Sequence, residues 1–366
     1  MSALPQPIPA AQDASVLYRL VHDAESGYKQ LQALRVALSS GLFEQLEQGL
    51  SATQLAQKLG LDPGLTLALC RVLAEMGLLE KKDSEYHNTG LVQTFLRRSS
   101  PLYQGSVVSC VQASLAPWEQ LEEMLHTGPA KHEGGNAFAG DFIHALAAET
   151  LTGELQKTTD ILCGVLEFSQ VRTLLDLGGG HGLYSLALCQ RNPKLRATIF
   201  DLPGMAEAAT RYSELFGDGR LSFATGNQFT DPIGEDYDAV LLSYNPGGKS
   251  RALLDKVHAA LKPGGLFITK HAYYAKDEGS KNPLLDLEWA MTVFPGVDKE
   301  PHIYRFKNDL AHEEILHYLA ENYDILRIAG VHEFALGRLG KMGDRLDSQL
   351  IVARKRQSSH ALGKQL

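Results

Sequence analysis

The sequence predicts an α/β protein: a doubly wound sheet with an antiparallel edge hairpin, preceded by an α-helical module. Three observations carry this expectation. From Val171 onward, short apolar runs alternate with helically spaced stretches. Early in that alternation the run Thr173-Leu174-Leu175-Asp176-Leu177 meets the turn Gly178-Gly179-Gly180-His181-Gly182. Residues 15–46 space their apolar side chains as a helix does.

The glycine turn organises the rest. Leu174, Leu175 and Leu177 suit a buried parallel strand, and Asp176 sits near its carboxyl end. Helical spacing resumes at Leu183, Leu186, Ala187 and Leu188. Strand, glycine turn and helix bring a nucleotide against exposed backbone N–H groups. A dinucleotide fingerprint reads G-x-G-x-x-G, whereas this row, G-G-G-H-G, is tighter. The next strand, 196–200, ends in Asp201, an acid able to accept hydrogen bonds from ribose hydroxyls. Further strands are expected at 221–225, 237–244 and 266–270, with helices near 183–191, from Pro203, and over 250–261. The stretches 323–328 and 349–353 are expected to pair as the antiparallel hairpin.

Ahead of the sheet, Leu17, Leu20, Val21, Ala24 and Tyr28 form one stripe, continued by Leu31, Leu34, Val36, Leu38 and Leu42. A capped helix follows at 51–60, a second from Asp62-Pro63 to Gly77, then two short strands near 78–80 and 86–88. Helix, turn, helix and wing make a winged-helix module, a form often used on DNA. Residues 50–100 hold Lys58, Arg71, Lys81, Lys82, Arg97 and Arg98 against Asp62, Glu75, Glu80, Asp83 and Glu85, which is no phosphate-binding face. Burial in a homodimer is the better use of the apolar stripe.

Composition sets further limits. The chain has 366 residues, 44% hydrophobic, with a net charge of -8, which disfavours nucleic-acid and anionic-membrane binding. No run of 18 apolar residues is present. The proline-rich start, without a basic region, reads as a flexible tail rather than a signal peptide. Cys70, Cys110, Cys163 and Cys189 are far apart and read as reduced thiols, so a cytoplasmic location is expected. No metal-ligand spacing is readable among His302, His312 and His317.

Asp176 to Gly182, Phe200-Asp201-Leu202-Pro203, Gly226-Asn227-Gln228-Phe229 and Leu261-Lys262-Pro263-Gly264-Gly265 together resemble the S-adenosylmethionine-dependent O-methyltransferases. The resemblance is to the subfamily with an N-terminal winged-helix dimerisation domain, known from plant phenolic and bacterial antibiotic pathways. It spans roughly residues 15–355 and includes Gln32-Ala33-Leu34 and Gly41-Leu42-Phe43. It implies a Rossmann-like domain that binds S-adenosylmethionine, and a homodimer. The implied boundaries are a tail to residue 14, a dimerisation domain at 15–100, a helical linker and pocket segment at 101–165, the cofactor domain at 166–355, and a second tail. Asp176, Gly178 and Gly180 would lie beside the aminoacid part of the cofactor, and Asp201 with Leu202 beside the ribose. Asn227 and Gln228 would border the adenine, with Asn227 standing where the family usually has an acid. Ser243 and Tyr244 would face the same crevice. A nicotinamide-dependent oxidoreductase is the rival on such a sheet; the tight turn and the Asp201-Leu202-Pro203 run favour the methyl donor.

One departure concerns catalysis. The family carries a His-Asp-Trp triplet after strand four, whose histidine deprotonates the acceptor. This chain reads Leu242-Ser243-Tyr244-Asn245-Pro246-Gly247-Gly248-Lys249-Ser250 there, a shorter loop without that base. His144, Tyr244, Lys249, His271, Glu300 and His302 are the candidate substitutes. Trp118, Phe138, Phe142, Trp289, Met291 and Phe294 are expected to wall a pocket for a small, flat acceptor, aromatic or tetrapyrrole-like. Oxygen is the expected target. An electron-rich ring carbon is the alternative, because it needs less help from a base. A third reading is a cofactor-binding regulator that has lost its chemistry.

Overall fold

The structure is a computed structural model, and it describes residues 13–131, 140–217, 219–293, 298–335 and 346–357. The greater part of both expected tails, and most of the glycine-rich loop near 131–140, lie outside these residues. The chain divides into two compact units, Met1–Gln112 and Ala113–Leu366.

In the first unit the opening stripe forms a single helix, Ser15–Ser39, which passes through Gly27 without a break. A short helix, Leu42–Gln45, follows Gly41, whose φ of 72° turns the chain through the left-handed region. Ser51 starts Ala52–Leu59 with a capping box closed by Gln54, and left-handed Gly60 ends it. The Asp62 side chain accepts the Leu65 N–H at 2.8 Å and opens Pro63–Glu75. Strands β1 (Leu50–Ser51), β2 (Leu79–Lys82) and β3 (Glu85–Asn88) form an antiparallel sheet in the order β1-β3-β2. Phe43, Leu55, Cys70, Leu73, Tyr86 and Val92 close the core. Val16, Leu17, Tyr18, Leu20, Val21 and Tyr28 stay exposed on the long helix.

The second unit opens with part of a helix, Gly105–Glu119, and a short strand β4 (Ala130–Lys131). Its main sheet holds β5 (Thr173–Leu177), β6 (Arg196–Asp201), β7 (Leu221–Thr225), β8 (Tyr237–Ser243) and β9 (Leu261–Ala272). A two-residue strand β10 (Thr292–Val293) pairs with β4, and β11 (Tyr323–Gly330) and β12 (Ser348–Lys355) complete the set. The order is β11-β12-β9-β8-β5-β6-β7. Strands β5 to β9 pair in parallel, and β12 pairs antiparallel with both β9 and β11. The hairpin therefore inserts its second strand against the sheet and leaves β11 at the edge. Strand β9 is longer than expected. Its register jumps between Tyr237–Leu261 and Ala239–Leu266, so the intervening Lys262-Pro263-Gly264-Gly265 bulges from the ladder.

Both faces of the sheet are covered. On β8, Val240 and Leu242 join one apolar cluster while Ala239 and Leu241 join another. That explains why the strand reads as a continuous apolar run rather than an alternating one. Among the described residues, no helix is long and apolar enough to cross a membrane. Leu241 is 1% exposed at the centre of the sheet. Leu241→Ala is expected to cost about 2–5 kcal/mol, read from the shift of a urea unfolding midpoint.

Candidate functional site

After β5 the chain builds outward through β6 and β7, then returns to place β8 on the other side of β5. Such a reversal leaves a crevice beyond the carboxyl ends of the strands. Here it holds a cavity of about 330 Å³. Asp176, Gly178 to His181, Asp201, Asn227, Gln228, Ser243 and Tyr244 line it. Phe142, Ile143, Leu146, Trp289, Tyr304 and Phe306 line it as well.

The glycine turn is held by short backbone and side-chain bonds. The Gly178 N–H donates to the Phe200 carbonyl at 2.8 Å, and the Gly180 N–H to Asp201 Oδ2 at 2.9 Å. Asp201 Oδ1 accepts the Leu202 N–H at 2.7 Å. Gly178 sits at φ 65°, and a Cβ there would lie 2.3 Å from Asn245 Nδ2. Only glycine lets that amide reach the Leu177 carbonyl, which it does with a short hydrogen bond. Asn245 Nδ2 also donates to Gln228 Oε1 at 3.0 Å, and Gln228 Nε2 to the Pro246 carbonyl at 3.2 Å. The loop after β8 is thus tied to the far wall of the cavity. Tyr244 begins that loop at φ 53°, an uncommon backbone state for a residue with a side chain.

Burial sets the charge states. The Asp176 carboxyl is pushed up to about 7, chiefly by burial, although Ser185 donates to it at 2.6 Å. Burial also raises Asp201, and the N–H groups of Gly180 and Leu202 oppose the rise. His181 is driven down to about 4 by burial, with His144 and Lys270 adding to the effect. Its Nδ1 accepts the Leu183 N–H at 3.1 Å, so this imidazole is neutral and partly spent.

The comparisons agree with this geometry. An O-methyltransferase dimerisation domain matches residues 23–98 and an O-methyltransferase domain matches residues 143–305. A 3-hydroxy-5-methyl-1-naphthoate 3-O-methyltransferase of Streptomyces sahachiroi is 32% identical, over 68% of this chain and 75% of the relative. The chain belongs to the S-adenosylmethionine-dependent O-methyltransferases. An uncharacterised protein of Methanocaldococcus jannaschii is 30% identical over 87% of each chain. Human N-acetylserotonin methyltransferase, solved in complex with SAM, has the same fold at a TM-score of 0.65 and 19% identity, covering 96% of this chain and 100% of that one. Membership makes the chain a methyltransferase and sets aside the nicotinamide oxidoreductase.

The cavity suits the family's cofactor. The glycine turn offers bare backbone, and the Asp201 carboxylate has lone pairs beyond the two it spends on N–H groups. Asp176, Gly178, Gly180, Asp201, Leu202, Asn227, Gln228, Ser243 and Tyr244 all line it together. Of the expected acceptor wall, Phe142 and Trp289 line it. Trp118, on the Gly105–Glu119 helix, and buried Met291 do not. Phe138 and Phe294 lie outside the described residues.

The six candidate bases are not brought together. Tyr244 lines the cavity, and the other five do not. His144 Nδ1 meets the Tyr212 hydroxyl at 3.1 Å, and burial lowers its pKa. Lys249 is buried, donates to the Ala272 and Tyr304 carbonyls at 2.9 and 2.8 Å, and pairs with Asp309 at 3.2 Å. His271 is buried on β9 and burial holds its imidazole well below the ordinary range. Glu300 is engaged through its backbone, which accepts the Trp289 indole N–H at 3.0 Å. His302 Nδ1 contacts Asp286 Oδ2 at 2.9 Å, and its ring stacks on Tyr274. Sequence position near the acceptor side brought these residues forward. Apart from Tyr244, none of them lines the cavity, which spacing alone does not fix. Glu154, Tyr184, Asn245, Tyr304 and Phe306 line the cavity and were missed. Tyr184 had a signal, one step into the helix behind the glycine turn, and Asn245 had one in its place on the altered loop.

The raised Asp176 carboxyl makes a stability prediction. Its pKa is about 7 in the fold against 3.8 for the free group, so the folded state holds the proton more tightly. The stability it contributes is complete below pH 4 and is lost as pH climbs through 7. Asp176→Asn is expected to flatten this decline, seen in unfolding midpoints measured from about pH 4 to pH 8.

Proposed function

We propose that the chain methylates a hydroxyl of a small, flat aromatic metabolite in the cavity beyond β5 and β8. One observation carries this reading: glycines, carboxylates and aromatic side chains line a single cavity. When bound, S-adenosylmethionine supplies an electrophilic methyl group on a sulfonium. Asp176, Gly178 and Gly180 would border its aminoacid part, Asp201 and Leu202 its ribose, and Asn227 and Gln228 its adenine. Ser243 and Tyr244 would stand where cofactor and acceptor meet. The acceptor would lie against Phe142, Trp289, Tyr304 and Phe306, whose faces favour a planar ring.

Positioning does much of the remaining work. Holding an acceptor oxygen in line with the methyl group removes a large entropic part of the barrier. The loop from Tyr244 is well suited to this, because Asn245 and Lys249 pin it at both ends. The relative from Streptomyces sahachiroi, named for a naphthoate 3-hydroxyl, supports an aromatic acceptor. Residues 15–100 would form the dimer contact, 101–165 the linker and pocket segment, and 166–355 the cofactor domain. The exposed apolar residues of Ser15–Ser39 are what a second copy would cover.

Two measurements test the reading. Asp201→Ala should weaken binding of the demethylated cofactor by about 1.5–3 kcal/mol in calorimetry, through loss of charge-assisted hydrogen bonds. Unchanged affinity would remove Asp201 from the ribose site. Light scattering at micromolar concentration should give twice the chain mass, and a monomer would overturn the dimer.

A further inference from the structure

An ion pair stands behind the cavity wall that packing alone does not call for. Lys270 on β9 is 0% exposed and Glu154, at the start of the helix Glu154–Cys163, is 4% exposed. Their charged atoms are in direct contact. Lys270 Nζ also donates to the Tyr184 hydroxyl at 2.8 Å, and that hydroxyl donates to Glu154 Oε1 at 2.8 Å. The three side chains close a ring. Glu154 and Tyr184 line the cavity, as does Tyr244, whose ring centre lies 5.2 Å from Lys270 Nζ. A carboxylate therefore meets the cavity with its counter-ion seated behind it.

Such a pair costs desolvation, and two apolar side chains would hold the helix to the sheet as well. The other acids of the cavity have a place in the cofactor reading above, Asp176 beside its aminoacid part and Asp201 beside its ribose. His181 is neutral and accepts from Leu183. Burial pulls the Lys270 ammonium well below its ordinary range.

We propose that Glu154 accepts the proton of the acceptor hydroxyl during methyl transfer, with Tyr184 and Lys270 as positioning residues that hold its carboxylate. The proposal rests on the O-methylation reading above. The hydroxyl O–H bond breaks and its proton passes to the Glu154 carboxylate. An oxygen electron pair forms the new bond to the methyl carbon, and the pair of the broken carbon–sulfur bond stays on sulfur. Glu154 returns its proton to solvent as the product leaves.

The test uses the full chain with S-adenosylmethionine and two phenols of similar size, one ionised at the assay pH (a nitrophenol) and one not. Glu154→Gln should lower kcat for the un-ionised phenol on the order of 10²- to 10⁴-fold. It should lower kcat for the ionised phenol by less than tenfold, and leave KM and calorimetric affinity for the demethylated cofactor within about twofold. Glu154→Asp should recover part of the loss, and Tyr184→Phe should reduce kcat with KM unchanged. If Glu154→Gln does not fold, as a melting curve would show, Glu154→Gln/Lys270→Met removes the pair together and should show the same selective loss. An unchanged kcat for both phenols, or an equal fall for both with weakened cofactor binding, overturns the proposal while the O-methylation reading stands. If the wild-type chain binds the cofactor yet methylates neither these nor any other phenol tried, that reading fails and the proposal falls with it.

Discussion

The larger unit depends on the place where the chain reverses its travel across the sheet. Strand β5 is followed by β6 and β7 on one side and by β8 on the other. The connecting helices pass to opposite faces of the sheet, which leaves an opening at the ends of β5 and β8. Backbone groups there would be orphaned if left bare. The bonds from Gly178 N–H to Phe200 and from Asn245 to Leu177 satisfy them, and in doing so they shape the wall of the cavity. The fold makes an opening and the polar groups needed to close it make a binding surface.

Charge burial is distributed around that opening in two kinds. Asp176 and Asp201 face the cavity, and burial raises both. No lysine or arginine is among the described residues lining the same space, so a cationic ligand is favoured at that end. Lys249 with Asp309 and Lys270 with Glu154 are buried, compensated pairs, and of these four only Glu154 lines the cavity. The unpaired acids favour binding a positive group, and the paired lysines fix loops and helices in place.

Much of the fold was legible because it rests on local pattern. The strands at 173–177 and 237–243 announced themselves as apolar runs between turn residues, since both of their faces are buried. The cofactor end of the cavity was legible for the same reason: Gly178, Gly180 and Asp201 take their places directly from strand ends. The acceptor side was not. Phe142 sits on a helix and Trp289, Tyr304 and Phe306 come from distant segments, so their convergence is set by tertiary packing rather than by spacing. Glu154 was hidden in a helix start that reads as ordinary solvent-facing polarity, and its partner Lys270 lies over a hundred residues away, at |i−j| of 116. His271 and His302 drew notice as histidines near the right strand, but one is sealed within the sheet and the other is bound to Asp286.

The anchoring of Lys249 limits how this loop can be altered. Its ammonium joins the loop after β8 to Ala272 and to the stretch that holds Tyr304 and Asp309, two segments distant from it in the chain. Rebuilding the loop at this position would require the lysine to be released. Releasing it first would strand the Asp309 carboxylate in the interior, at a cost of about 3–5 kcal/mol, a large part of a typical domain's stability. Lys249 and Asp309 can therefore be exchanged without that cost only as a pair.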